Sequence, residues 1–115
     1  MSMKGSCHCG QVEYTVEGEP GKVIECNCSH CSRKGYLLWF VPRDHLKVTK
    51  GNATLSTYMF NKHVIRHQFC PTCGSAPFGL GRDPKGNEMA AINVRCIEGI
   101  DLDRLDRQKF DGKSL

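Results

Sequence analysis

Seven of the eight cysteines fall in three short clusters. The clusters are Cys7-His8-Cys9, Cys26-Asn27-Cys28-Ser29-His30-Cys31 and Cys70-Pro71-Thr72-Cys73, while Cys96 stands apart. A disulfide within Cys-x-Cys would be strained, because alternate residues of an extended chain lie ~6–7 Å apart. The same two side chains point to one side of the chain and can share a metal ion. We therefore interpret the clusters as metal ligands, with zinc as the ion that such spacing favours.

The clustered cysteines divide into a set of four and a set of three. A closed structural zinc site has four protein ligands, whereas a catalytic site leaves one position open. Cys70 and Cys73 form a knuckle of the zinc-ribbon type, which needs two further ligands that a Cys-x-Cys pair could supply. The loop at residues 26–31 could occupy three corners of a tetrahedron by itself. On spacing alone, a different partition, in which Cys28 and Cys31 join Cys70 and Cys73, stays open.

Composition limits the classes of protein to consider. The 115 residues, 39% of them hydrophobic and 24% charged, predict one globular domain spanning residues 1–115. The formal net charge is +4, and seven thiolates bound to two divalent ions would lower it to about +1, so we expect no nucleic-acid partner. We expect no membrane span, since no run of ~18 apolar residues occurs. The absence of an apolar signal segment favours the cytoplasm.

Short segments with alternating apolar residues, interrupted by glycine or proline, predict β-strands. They comprise residues 11–17, 23–24, 37–41, 46–49, 54–60, 63–69 and 88–95. Residues 101–107 alone suggest a helical turn, capped by Asp101, and the polar tail from residue 108 is expected to be loosely held. The pattern predicts an all-β fold, in which zinc would pin distant segments around a small core.

Together the cysteine motifs resemble the glutathione-dependent formaldehyde-activating enzyme family. The matching stretches are Gly5-Ser6-Cys7-His8-Cys9-Gly10, the loop at 26–31, Phe69-Cys70-Pro71-Thr72-Cys73-Gly74-Ser75 and Asn93-Val94-Arg95-Cys96. The likeness covers about residues 4–100. It implies several short curled antiparallel sheets, of the kind found in Rab-exchange-factor-like proteins and methionine sulfoxide reductases of the B type. It also implies two zinc ions: a structural one on Cys7, Cys9, Cys70 and Cys73, and a functional one on Cys26, Cys28 and Cys31.

The resemblance implies carbon–sulfur lyase chemistry, in which formaldehyde and glutathione give S-hydroxymethylglutathione. The partners would be glutathione, or another small thiol, and an aldehyde. A free thiol with a pKa of ~8.5 is only a few per cent ionised near neutral pH. Because a thiol that binds a metal ion is deprotonated, a zinc ion with one open position would increase the supply of nucleophile.

Five further residues are candidates for the site. Arg33 and Lys34 could bind the carboxylates of glutathione, since arginine binds a carboxylate through two hydrogen bonds. Trp39 and Asn93 could line a substrate cleft, and His30 could carry a proton beside the second zinc. The alternatives are a solvated basic loop for Arg33 and Lys34, plain core for Trp39, and a satisfied polar group for Asn93. The surface is the alternative place for His30 and the expected one for His8, His45, His63 and His67.

Two other functions stay open on the sequence. The chain could be a non-catalytic zinc module that binds a protein partner. It could also be a thiol reductase that uses Cys96, although an isolated cysteine is most often a small buried hydrophobic residue.

Overall fold

The computed structural model of the protein describes residues 2–60 and 65–114. Within these ranges ten strands form two sheets. The strands are β1 (Ser2–Ser6), β2 (Glu13–Glu17), β3 (Lys22–Cys26), β4 (Leu38–Pro42), β5 (Leu46–Lys50), β6 (Ser56–Tyr58), β7 (Arg66–Phe69), β8 (Phe78–Arg82), β9 (Glu88–Asn93) and β10 (Asp106–Phe110). The smaller sheet has the order β1-β2-β5, and the larger has the order β10-β3-β4-β9-β8-β7-β6.

The strand pairs are antiparallel, with one exception. The antiparallel register of β4 and β9 pairs Trp39 with Ile92, and that of β8 and β9 pairs Phe78 with Ile92. β10 instead runs parallel to β3, with Phe110 opposite Cys26. A parallel neighbour requires a crossover connection, and here the chain makes it through the elements between β3 and β10.

The main core lies between the two sheets. Tyr14 and Val16 from β2 pack there with Trp39 and Val41 from β4 and with Ile92 from β9. Tyr14, Val16 and Ile92 have no exposed surface. Alternation along each strand puts such residues on one face, and burying them stabilises the fold.

One short helix, α1 (Ser29–Lys34), interrupts the strands. The sulfur of Cys28 caps its first turn by accepting a hydrogen bond from the Cys31 N–H at 3.3 Å. The helix ends at Gly35, whose φ of 67° is left-handed and whose N–H donates to the Cys31 carbonyl at 2.9 Å. Hydrogen bonds to Cys28 and Cys31 therefore fix both ends of the helix.

The prediction of a mostly β protein is confirmed. The predicted turn at 101–107 is confirmed only at Leu102–Arg104, where Asp101 caps it by accepting the Asp103 N–H at 3.1 Å, because residues 106 and 107 belong to β10. The predicted strand at 88–95 is too long, because residues 94–96 form a 3-10 turn. The prediction of a loose tail is wrong at residues 108–110, which pair with β3 in β10. Residues 63 and 64 of the predicted strand at 63–69 lie outside the described residues, as does the prediction for His63.

In the described part of the chain, no helix has both the length and the apolar character that crossing a membrane requires.

Candidate functional site

Four cysteines from two distant parts of the chain form the first cluster: Cys7, Cys9, Cys70 and Cys73. Their sulfur atoms all lie within 4.8 Å of one another. The sulfur of Cys9 is 3.6 Å from that of Cys7 and 3.6 Å from that of Cys70. Cys7 and Cys70 are buried. Since Cys7 follows β1 of the smaller sheet and Cys70 follows β7 of the larger, this cluster joins the two sheets.

Similar tight turns present both halves of the first cluster. In one turn the Cys7 N–H donates to the Val12 carbonyl at 3.1 Å, and in the other the Cys70 N–H donates to the Ser75 carbonyl at 2.9 Å. The Val12 N–H also donates to the Cys7 sulfur at 3.4 Å. The turns are linked where the Thr72 hydroxyl donates to the side-chain oxygen of Gln11 at 3.2 Å. Backbone hydrogen bonds in these turns therefore hold Cys7 and Cys70 in position.

Cys26, Cys28 and Cys31 form the second cluster, and their sulfur atoms also lie within 4.8 Å of one another. Cys26 is the last residue of β3, Cys28 caps α1 and Cys31 lies within the helix. The Cys28 N–H donates to the Cys26 sulfur at 3.5 Å. Cys31 is buried against Tyr36 and other residues. A strand end and a single helical turn therefore suffice to gather three sulfur atoms.

Both clusters fit metal binding. A tetrahedral zinc ion with Zn–S bonds of ~2.3 Å has sulfur atoms ~3.8 Å apart, and the closest pairs in the first cluster are 3.6 Å apart. Thiolates are soft ligands that favour zinc, copper(I) or iron–sulfur centres. None of the eight cysteines forms a disulfide. The first cluster could hold an ion with four protein ligands, and the second could hold one with three.

Hydrogen bonds favour ionisation of Cys7 and Cys73 in the first cluster and of Cys28 in the second, since they lower the pKa of each thiol. Backbone N–H groups of Cys9 and Ser75 lower the pKa of Cys73 to about 5. Burial opposes ionisation of Cys28, but hydrogen bonds from the backbone N–H and side chain of Cys31 lower the pKa of Cys28 overall. Metal ligands must be deprotonated, so these thiols are suited to bind a cation.

A cleft with a volume of about 520 Å³ lies beside α1 and β7. One wall is formed by Ser29, His30, Arg33, Lys34 and Tyr36, and the other by Tyr58, His67, Gln68 and Phe69. Tyr36 and Phe69 also pack around the second cluster. The cleft therefore lies next to the packing cluster that contains the three cysteines, although none of the three is among its lining residues, and it combines aromatic walls with two cationic side chains.

Two histidines meet in this cleft. The ring centroids of His30 and His67 are 4.2 Å apart. Burial and the charge of Lys34 lower the pKa of His30. Burial, His30 and Lys34 lower the pKa of His67 to about 4. Nδ1 of His30 is buried and has no hydrogen-bond partner within the described ranges. In this environment both rings are neutral at pH 7.

The remaining residues predicted for the site lie in two places. Arg33 and Lys34 line the cleft, where Arg33 donates to the Ser29 carbonyl at 2.9 Å and the Lys34 ammonium lies 5.6 Å from the Phe69 ring centroid. Trp39 lies in the main core. Asn93 is buried and donates to the Ala76 carbonyl at 3.1 Å. Neither Trp39 nor Asn93 is among the residues that line the cleft.

Cys96 is half-buried in the turn after β9. The amide of Asn93 lies 3.9 Å from its sulfur. Burial, together with the nearby Cys7 and Cys73, raises the pKa of Cys96 to about 11. A thiol with so high a pKa is a poor source of thiolate at neutral pH, which disfavours redox chemistry at this position.

Several residues that form the cleft are not predicted from the sequence. Tyr58 and His67, expected as strand and surface positions, face one another across the β6–β7 pair, where the register places them opposite each other. His30 stacks on Tyr58 with ring centroids 5.4 Å apart. Tyr36 and Phe69 were likewise not expected. Their proximity to α1 depends on sheet pairing, and spacing along the chain carries no signal of it.

Comparisons with known proteins agree with this geometry. The sequence model of the family described as glutathione-dependent formaldehyde-activating enzyme matches residues 2–109. A crystal structure of a Rhodobacter sphaeroides protein is similar to this chain at 32% sequence identity, with a TM-score of 0.79. That match covers 92% of this chain and 100% of the other. The resemblance noted in the cysteine motifs is thereby confirmed, and the chain belongs to the glutathione-dependent formaldehyde-activating enzyme family.

Proposed function

We propose that the protein is a zinc-dependent carbon–sulfur lyase that forms S-hydroxymethylglutathione from formaldehyde and glutathione. The observation that carries the proposal is a three-cysteine cluster beside a cleft that contains two cationic side chains, Arg33 and Lys34. Membership of the family supports the same reaction. We also propose a reducing compartment, the cytoplasm, because clustered cysteines that hold metal ions are typical of such compartments.

The proposal includes two zinc ions per chain with different roles. The first cluster has four cysteines, the number of ligands in a closed structural site, and it joins segments far apart in sequence. The second cluster has three cysteines within six residues, and an ion there would have an incomplete set of protein ligands. Cys26, Cys28 and Cys31 would hold this ion and leave one position for a further sulfur ligand, whose deprotonation the ion would favour.

The proposed reaction balances without an oxidant or reductant. The sulfur of glutathione forms a bond to the carbonyl carbon of formaldehyde, and the carbon–oxygen π bond breaks. The thiol sulfur loses a proton, and the former carbonyl oxygen gains a proton to become a hydroxyl. His30 would hold or pass this proton; in support, its ring lines the cleft, and it lies between Cys28 and Cys31 in the sequence. The reverse reaction uses the same groups.

The cationic wall of the cleft would orient glutathione. This tripeptide has two carboxylates, and Arg33 and Lys34 offer guanidinium and ammonium donors on successive residues of α1. Tyr36 and Phe69 would exclude water beside the reacting sulfur. Asn93 would act indirectly, by holding Ala76 in place. Its side-chain amide donates to the Ala76 carbonyl, and Ala76 packs against Cys31. Trp39 packs in the main core, so its part in binding would be indirect.

The direct test is magnetisation exchange by NMR between free formaldehyde, as its hydrate, and the glutathione adduct. We expect zinc-loaded protein to increase the exchange rate in proportion to its concentration. The control is protein whose zinc has been removed with a chelator, which should leave the exchange at the uncatalysed rate. An exchange rate unchanged by loaded protein would contradict the lyase proposal and favour a non-catalytic binding module.

Replacing Lys34 with alanine tests the cationic wall. We expect KM for glutathione to rise about fivefold, which corresponds to ~1 kcal/mol, a value suited to a charge pair open to solvent. The turnover number should change little, because a remote carboxylate contact is the same in substrate and transition state. Lys85→Ala is the matched control, since Lys85 lies in the turn between β8 and β9. An unchanged KM in Lys34→Ala would show that the Lys34 ammonium does not bind glutathione and is simply solvated.

A further inference from the structure

The last residue of β10 and the segment that follows it lie against the second cluster. We call residues 110–114 the strap. The Asn27 N–H donates to the Phe110 carbonyl at 3.1 Å. The Asn27 side-chain amide donates to Oδ1 of Asp111 at 2.9 Å, and the Ser114 hydroxyl donates to Oδ2 at 2.6 Å. Asp111 thus ties the strap to the residue between Cys26 and Cys28 through both of its carboxylate oxygens.

Gly112 brings the strap against the cysteines themselves. A Cβ atom at this position would lie 2.5 Å from the Cys26 sulfur and 3.3 Å from the Cys28 Cβ. Gly112 is not among the glycines with positive φ, so its backbone angles do not require glycine. The lack of space beside Cys26 does require glycine, because any side chain at position 112 would have to displace either the strap or the Cys26 sulfur.

Two observations separate the strap from the features already discussed. It lies beyond residues 2–109, which the family model matches, so the family's activity does not predict it. It also approaches from the side of β10 and β3, where Phe110 pairs with Cys26, whereas the residues that line the cleft come from α1, β6, β7 and the segment after α1.

We infer that the strap holds Cys26 in place and covers its sulfur, with Asp111 and Gly112 as positioning residues that determine how firmly the second cluster retains its metal ion. This inference rests on the proposed function, because it requires an ion in that cluster. Partners in the outer shell of a metal site fix the orientation of the ligands, and their loss typically lowers metal affinity ~10–100-fold. The strap supplies such partners through Asn27.

The test is the release of zinc from the fully loaded chain to a chromogenic chelator. We expect two phases in the wild-type protein, with the faster one absent from Cys28→Ser and therefore assigned to the second cluster. Asp111→Ala should accelerate the faster phase about 10-fold and leave the slower phase unchanged. Asp111→Asn keeps an acceptor for Asn27 and a polar partner for Ser114, and it should restore the wild-type rate.

Matched variants separate this role from general effects on the strand. Asp106→Ala removes the same charge from the other end of β10, and its faster phase should match that of the wild type. Gly112→Ala should accelerate the faster phase, whereas Gly21→Ala, at a glycine with nothing within 4 Å of the added Cβ, should not.

Three outcomes would overturn the inference. The first is a faster phase in Asp111→Ala that stays within twofold of the wild-type rate. The second is acceleration of both phases together, which would show that the strap supports the whole fold rather than one site. The third is a wild-type protein that binds a single zinc ion, a result that would refute the proposed function as well. The first two leave the proposed function standing.

Discussion

Replacing Cys70 with serine is expected to unfold the protein. Cys70 has no exposed surface and belongs to the cluster that joins the two sheets. Binding of structural zinc contributes ~10–16 kcal/mol in small zinc domains, which matches or exceeds the total stability of ~5–15 kcal/mol of an ordinary domain. The change should abolish the cooperative thermal transition followed by circular dichroism, and the purified protein should contain no zinc in the first cluster.

Cys96→Ser is the matched control for that variant, since it makes the same atomic change at a cysteine outside both clusters. It should keep two zinc ions and a melting temperature within a few degrees of the wild type, as a change at a half-buried position of ~1 kcal/mol allows. If Cys70→Ser melted at the wild-type temperature, the first cluster could not be the structural one.

Replacing Cys28 with serine should have the opposite pattern, with activity lost and the fold kept. The three cysteines of the second cluster lie within residues 26–31, so their ion closes no long loop. Serine is also a favourable N-cap residue, and its hydroxyl can accept the Cys31 N–H that the Cys28 sulfur now accepts. We expect one zinc ion per chain, a nearly unchanged melting temperature, and exchange of the glutathione adduct at the uncatalysed rate.

Ser32→Ala serves as the neighbouring control for Cys28→Ser. Its hydroxyl is exposed and donates to the Ser29 carbonyl at 3.3 Å, so its removal changes α1 without removing a proposed ligand. It should keep two zinc ions and wild-type exchange. Catalysed exchange that survives in Cys28→Ser would mean that the reaction occurs away from the second cluster.

The strands that could be predicted from the sequence are those whose apolar side chains pack in the core. Residues 46–49 alternate between apolar and polar side chains, and residues 88–93 carry apolar side chains on both faces, as a central strand does; both form strands. β10 has five exposed residues, so it has no apolar period to detect. β8 contains Gly79 and Gly81, which lower strand propensity. Helix α1 is six residues long with one buried residue, Cys31, too short for a helical period.

The site divides in the same way between local and distant information. The three cysteines of the second cluster, which we propose as ligands, and the cations that follow them lie within residues 26–34 and could be recognised from spacing and family resemblance. The opposite wall of the cleft comes from Tyr58, His67 and Phe69, whose positions depend on β6 pairing with β7 and β7 with β8. Such pairing is a property of the folded chain, which explains why His67 was expected at the surface.

The two clusters share a boundary at the end of β7. Phe69 packs around the second cluster, and the next residue, Cys70, belongs to the first. An ion in the first cluster would therefore anchor the aromatic wall that stands beside the second. Loss of that ion should disturb the cleft together with the fold, whereas loss of an ion from the second cluster should leave the end of β7 in place.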